Sequence, residues 1–411
     1  MTVESHLPIE SATELTPGDK PGLKRDGLIF FYYALVGFNC YICSALGPVM
    51  PFLRAELSLN YRVAGLHFGS LAAGAIVAGM LGEKLLQRTG RINLLVMCSL
   101  GISVGLLALT LTHHPFLTIL GVMLAGFGGS MLYQTLAAII SDRLGDGRTL
   151  AFMEAEVFAM LLGGIAPFAV GFSVTLGFGW RLAMFLVLAF FLVSTGFLRK
   201  FSSVKQIHAT QSEIAGRLPS LFWAYGLVMF LSVAAEWSVA FWSADFLQHG
   251  ISLAKADAAA AVGAFFIGMV AGRFSGSRLV NSLTASFMLS VSAVLSVTGF
   301  LLLWLGHSSF LCVSGLLLTG LGIANMYPLC FANAIAVVPS QASRAVARLS
   351  LLCGMAQLST PFILSVIADR AGLFSAFSMI AAVLVVCLGA IFATNALAVR
   401  HQSLSNELTG A

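Results

Sequence analysis

The sequence predicts an all-α integral membrane protein of twelve transmembrane helices, arranged as two six-helix bundles related by an internal repeat. Three observations carry that fold. Of 411 residues, 58% are hydrophobic and only 9% are charged, with a mean hydropathy of +0.94, whereas a soluble domain is about one-quarter charged. The apolar runs are near the ~20 residues that cross the hydrocarbon core. They are continuous rather than alternating, which excludes a β-barrel. The second half also repeats the first at an offset of 194 residues without a gap. Gly74 falls on Gly268, Gly82 on Gly276, Lys84 on Arg278, Leu85 on Leu279, Gly126 on Gly320, Gly128 on Gly322, Tyr133 on Tyr327 and Pro167 on Pro361. Two like-oriented bundles bound a cavity between them, the architecture of a solute carrier rather than of an enzyme.

Taken in order, residues 1–26 are polar, carry Pro8, Pro17 and Pro21 and have no apolar core of a signal peptide, so a disordered tail is expected. Helices follow at 27–53, 61–85, 93–112, 115–140, 149–175 and 179–199, the N-terminal bundle of residues 27–199. The polar stretch 200–217 is expected to be a flexible linker. The C-terminal bundle, residues 218–398, has helices at 218–247, 254–276, 283–305, 309–337, 345–368 and 373–398, and 399–411 form a second tail. Gly47-Pro48 with Pro51, Ala166-Pro167, Tyr327-Pro328 and Thr360-Pro361 are expected to interrupt or kink helices one, five, ten and eleven.

Twelve spans put both termini on one side. Lys and Arg number seventeen in the segments on that side and five on the other (Arg54, Arg62, Arg181, Lys255 and Arg370), accounting for all 22. The bias makes the termini and linker cytoplasmic in a multi-pass protein of the cell (inner) membrane. It also explains the net charge of +5 without nucleic-acid binding. The seven cysteines all fall in apolar segments and read as small hydrophobes, with no disulfide framework and no metal site expected. No G-x4-G-K-[ST] loop occurs, so neither ATP nor any other cofactor is implied.

Between the second and third helices stands Gly82-Glu83-Lys84-Leu85-Leu86-Gln87-Arg88-Thr89-Gly90-Arg91, echoed by Gly272-Arg273-Phe274-Ser275-Gly276-Ser277-Arg278-Leu279 in the second half. The segment resembles the cytoplasmic loop motif of the major facilitator superfamily, G-x-L-a-D-R-x-G-R, with Gly82, Arg88, Gly90 and Arg91 as its matching residues. Gln87 stands where the family has an acid, and the leading Gly is displaced. Ala235-Glu236-Trp237 and Gly272-Arg273-Phe274-Ser275-Gly276-Ser277 are also similar to the fucose and glucose/galactose permease branch. The exporter motif of helix five survives only as Gly163-Gly164-Ile165-Ala166-Pro167. The resemblance implies that helices one, four, seven and ten line the central cavity. It implies that two, five, eight and eleven line the interface between bundles.

Glu236, near the midplane of helix seven, is the candidate proton-coupling group. A charged carboxylate at that depth is costly, so it is suited to exchanging a proton with one face at a time. Packing as a neutral, hydrogen-bonded residue is the plain alternative. Asn39, Tyr133, Gln134, Trp237, Asn325 and Tyr327 are candidate substrate-binding groups, hydrogen bonders and aromatics near mid-span; interhelical bonding is the plain alternative for each. Glu154 and Arg348 occupy repeat-equivalent positions. With Arg273 and Glu83 they are expected to form a cytoplasmic gate of two pairs, Glu154–Arg273 and Glu83–Arg348, unless these groups only snorkel to lipid phosphate. No basic residue occurs at mid-depth on helices one, four, seven or ten, which argues for an uncharged solute. The resulting expectation is a proton-coupled secondary transporter, acting as a monomer in the bilayer and taking up a small neutral polar solute such as a sugar or polyol. The alternatives are a proton-antiport exporter of amphipathic compounds, and a sensor or scaffold that keeps the carrier fold without transport.

Overall fold

The computed structural model describes residues 26–144, 148–201, 217–280 and 282–409. The tail expected at 1–26, apart from Asp26, and most of the linker at 200–217 lie outside the described residues. The N-terminal half contains α1 (Gly27–Leu57), α2 (Tyr61–Thr89), α3 (Arg91–Leu111), α4 (Pro115–Leu144), α5 (Arg148–Thr175) and α6 (Trp180–Leu198). The C-terminal half contains α7 (Ser220–Gly250), α8 (Lys255–Ala261), α9 (Gly263–Leu279), α10 (Ala285–Leu305), α11 (Ser309–Ile323), α12 (Met326–Ala336), α13 (Ala342–Ala371) and α14 (Leu373–Thr409). They supply twelve spans long and apolar enough to cross a bilayer, α8 with α9 and α11 with α12 each serving as one.

Local sequence accounts for where these helices begin. Asp26 accepts the Ile29 N–H at 3.1 Å, Asn60 the Val63 N–H at 2.8 Å, Thr284 that of Phe287 and Ser308 that of Leu311, both at 3.3 Å, each meeting one of the amides a first turn leaves unpaired. Gly90, at φ +76°, is the whole connection between α2 and α3, a backbone angle that side chains other than glycine's disfavour.

Most of the prolines do not interrupt their helices. α1 runs on through Pro48 and Pro51, α5 through Pro167 and α13 through Pro361. Only the tenth span is interrupted near its proline: Pro328 is the third residue of α12, in a first turn where its missing N–H costs nothing. The eighth span breaks at Val262 with no proline at all. The final helix continues to Thr409, eleven residues beyond its expected end.

The 194-residue repeat is a repeat of packing. A Cβ on Gly74 of α2 would overlap the Met123 carbonyl of α4; one on Gly268 of α9 would overlap the Leu317 carbonyl of α11, at the same offset. Gly126 lies against the Leu71 carbonyl as Gly320 lies against that of Phe265. Gly105 faces Gly121 as Gly299 faces Gly315. Small residues let backbones touch and gain dispersion where lipid offers no hydrophobic drive, so each bundle is sealed at corresponding places. Between the bundles α1 meets α7, α2 meets α13, and α5 meets α8 and α9.

Candidate transport site between the bundles

The two bundles press together at the end opposite the chain termini and diverge toward the termini. On α2, a Cβ at Gly65 would overlap the Ser365 side chain of α13. One at Gly69 would stand 3.7 Å from Leu358, and one at Gly79 would meet nothing within 4 Å. Gly69 and Gly79 each lie within about 40° of Gly65 around the helix, so the series measures a splay. The α5 side shows the same trend. A Cβ at Gly171 would be 2.7 Å from the Ala256 carbonyl of α8, and one at Gly164 would be 3.6 Å from Phe266 of α9.

At the closed end, Arg54 of α1 donates to Asp245 of α7 at 2.6 Å, with Asp245 1% and Arg54 14% exposed. The guanidinium also lies 3.7 Å over the Tyr61 ring. His249 stands 3.3 Å from the same Asp245 oxygen, and the other carboxylate oxygen is buried without a hydrogen bond. A second latch joins α13 to α2: Asp369 accepts the backbone N–H of Tyr61 at 2.7 Å and of Arg62 at 2.9 Å. A carboxylate there meets both orphan amides and the positive end of the helix dipole. Beneath these charges Phe68 of α2 stacks on Phe241 of α7 with centroids 4.3 Å apart and meets Trp242 edge-on at 5.0 Å. Of these closing residues the sequence singles out only Trp242, as an aromatic for solute stacking or for packing, and it packs. Arg54 counts there only as a topology charge, and Asp245 is embedded in an apolar run.

Below the plug, a polar cluster occupies the space where the bundles part. Glu156 of α5 accepts the Tyr133 hydroxyl of α4 at 2.7 Å. Arg273 of α9 reaches toward the other Glu156 oxygen but stops at 3.9 Å, and its Nε is buried without a hydrogen bond. Glu236, near the middle of α7, feels the same guanidinium. Cys40 of α1 and Tyr327 of α12 each lie within electrostatic reach of Glu156, Glu236 and Arg273. Tyr133 and Tyr327 are repeat mates drawn from opposite bundles.

The expected gate pairs are not formed in this conformation. Arg273 faces Glu156 rather than Glu154, and Glu154 accepts instead from Tyr33 of α1 at 3.1 Å. Two helical residues turn the side chain by about 200°, so only one of these two acids can look toward α9. Glu83 accepts from Gln87 on its own helix at 3.1 Å, and Arg348 is exposed. Of the other candidates, Asn39 seats its amide against Gly129 of α4. Asn325 donates to the Gly272 carbonyl at 2.8 Å and rests on Gly276. Both asparagines are committed to packing within their own bundles. Gln134 donates to Ser130 at 3.2 Å and remains exposed. Trp237 packs on Phe241 at 5.0 Å, just below the plug. In the loop motif, Gly82 lies under the Met131 sulfur, Gly90 makes the turn, Arg88 is exposed and Arg91 opens α3. The ground for a neutral solute also changes: Arg273 brings a positive charge into the cavity from the eighth span, outside the four helices on which a base was sought.

Comparison with known proteins gives a consistent picture. The family model described as Major Facilitator Superfamily matches residues 29–224. An uncharacterised MFS-type transporter of Yersinia pestis is 25% identical over 373 residues, covering 89% of this chain and 94% of that protein. Membrane protein MosC of Rhizobium meliloti is 23% identical over 383 residues, 92% of this chain and 91% of its own. In three dimensions, a bacterial homologue of the human lysosomal transporter Spinster, inward-facing and occupied, superposes with a TM-score of 0.76 at 15% identity, covering 90% of this chain and 96% of that one. The nucleoside transporter NupG gives a TM-score of 0.70 at 14% identity, with coverage of 90% and 99%.

Proposed function

We propose that this chain, which belongs to the major facilitator superfamily, is a secondary transporter that carries a small hydroxyl-bearing solute together with a proton by alternating access. The observation that carries the reading is the splay of α2 from α13: no room for a Cβ beside Ser365 at Gly65, ordinary contact at Gly69 and open space at Gly79. Two rigid bundles touching along only part of their interface have a second arrangement available, in which the latched end parts and the other closes. The basic residues near the termini favour a cytoplasmic placement for that side. The described conformation is then inward-facing, in the inner membrane, with Arg54–Asp245 and Asp369 as the outer gate.

Glu236 is the proton carrier in this scheme. It sits near the middle of a helix that also supplies two of the three plug aromatics and Asp245, so its accessibility changes sides with the gate. The test is Glu236→Gln in proteoliposomes. Accumulation driven by a pH gradient should vanish while solute exchange without a gradient persists. Accumulation at the wild-type level would remove Glu236 from coupling.

A further inference from the structure

We propose that His249 is a proton-binding site on the outer face, and that its protonation loosens the Arg54–Asp245 latch, so that acid outside opens the outer gate. The inference rests on the carrier reading above, which makes the latched end the outer one.

Charge at the latched end is sorted by bundle. The N-terminal bundle is basic there: Arg54 of α1, Arg62 of α2 and the positive end of the α2 dipole, against which Asp369 lies. Glu56 of α1 is taken within that bundle by Arg181 and the Trp180 indole. The facing bundle supplies the acids, Asp245 of α7 and Asp369 of α13. His249 belongs to this acidic side, half exposed in the last turn of α7. Its Nδ1 lies 2.9 Å from the Asp245 carbonyl. A carbonyl only accepts, so Nδ1 keeps its hydrogen in either charge state and Nε2 takes the second proton. The charged ring then stands 3.3 Å from Asp245 Oδ1, the oxygen that Arg54 holds at 2.6 Å. Oδ2 is buried without a hydrogen bond, so the two cations crowd one atom.

What moves decides the direction. Asp245, with Asp369 and Arg370 of α13 and Lys255 and Asp257 of α8, shares a bundle with His249, so these charges stay with the ring in either state. Arg54 leaves with the opposite bundle, as do Tyr61 and Arg62 of α2. Of Asp245 and Arg54, the charges that act on the ring, only Arg54 departs. Opening therefore relieves a repulsion when the ring is charged and none when it is neutral. The open gate binds the proton more tightly, and by linkage a proton from outside shifts molecules toward it. An imidazole titrates at about pH 6.5, so the latch is undisturbed in alkali and loosened in acid. Glu236 carries the proton in this scheme, and His249 turns the carrier toward the side where protons are plentiful.

The experiment places a reporter thiol in the seam with Ser365→Cys, a site buried against Gly65 of α2 that outer solution reaches only when the bundles part. The full chain in oriented vesicles is treated from the outer face with a membrane-impermeant maleimide at about pH 8 and about pH 5.5, either side of the imidazole range. Labelling at position 365 is followed by mass spectrometry. The same reporter is combined with His249→Asn, which keeps a donor for the Asp245 carbonyl but cannot take a charge. The ratio of the two labelling rates cancels the pH dependence of the thiol itself. That ratio should be near one in alkali and rise about fivefold in acid, the upper range for a partly exposed charge pair. His249→Lys, charged throughout, should label fast at both pH values. Spin labels replacing His113 and His307, exposed on opposite bundles, should show the same growth of the open population with Ser365 intact. A ratio that stays level or falls in acid would overturn the switch. If Asp245→Asn speeds labelling while acid does not act through His249, the gate stands and the proton site is lost. If neither Asp245→Asn nor acid changes labelling, the latch itself is wrong and the outer gate of the carrier reading falls with it.

Discussion

Asp245→Asn should unlatch the closed end. The pair with Arg54 is 2.6 Å long, with Asp245 1% and Arg54 14% exposed. Removing one member of a buried pair costs about 3–5 kcal/mol, because the other charge stays behind without its partner. Arg54 retains its position over the Tyr61 ring and a 3.4 Å bond to the Leu59 carbonyl. With its slight exposure, these lower the figure to about 2–3 kcal/mol. The pair exists only while this end is shut, so the cost falls on one state of the equilibrium. At about 1.4 kcal/mol per tenfold, the ratio of shut to open molecules should drop by about 30- to 140-fold. Spin labels at His113 and His307, exposed and repeat-equivalent in the loops before α4 and after α10, read the separation of the bundles at that end. The wild type should give one short distance and the variant a second, longer population. Arg54→Ala should act alike, and the double variant should exceed neither by much, since both remove the same interaction. Identical distance distributions in the wild type and both single variants would refute the latch.

Two further outcomes are expected. Gly65→Val cannot coexist with Ser365 at the present spacing, so it should disfavour the shut end by about 1–3 kcal/mol in the same labelling assay; no change would mean that α2 and α13 are looser than described. Asn325→Ala should lower thermal stability by about 1 kcal/mol through loss of its bond to the Gly272 carbonyl, with solute affinity unchanged. Weakened binding without a change in Tm would return Asn325 to the cavity.

Much of the fold was legible because membrane burial writes itself into composition and because glycine contacts demand glycine in both halves. Gly74 and Gly268, or Gly126 and Gly320, recur at one offset since each must admit a neighbouring backbone at the same place. The break at Val262 left no mark, as neither proline nor a polar cluster accompanies it. In the candidate site, depth was readable and direction was not. Depth singles out Glu236, within electrostatic reach of Arg273, and Tyr133, bonded to Glu156 beside it. Its offset to Arg348 singles out Glu154, a criterion blind to the half-turn that separates it from Glu156. Asn39 and Asn325 show another limit: a polar residue at mid-span looks the same in sequence whether it faces solute or fills the notch over a glycine. The Arg54–Asp245 pair did have a signal, one base and one acid at matching ends of helices one and seven, which topology counting treated as background.

The Asp369 latch takes its two hydrogen bonds from main-chain amides, with the Arg62 side chain no nearer than 4.0 Å. No substitution at Tyr61 or Arg62 short of proline can delete those donors, so heredity can adjust this contact from one partner only. As far as this latch is concerned the side chains of the first turn of α2 can vary, Tyr61 being held only by its separate place under Arg54, while position 369 bears the constraint. A variant library should therefore show tolerance at Arg62 and intolerance at Asp369, although the Arg62 amide and the carboxylate face each other at 2.9 Å.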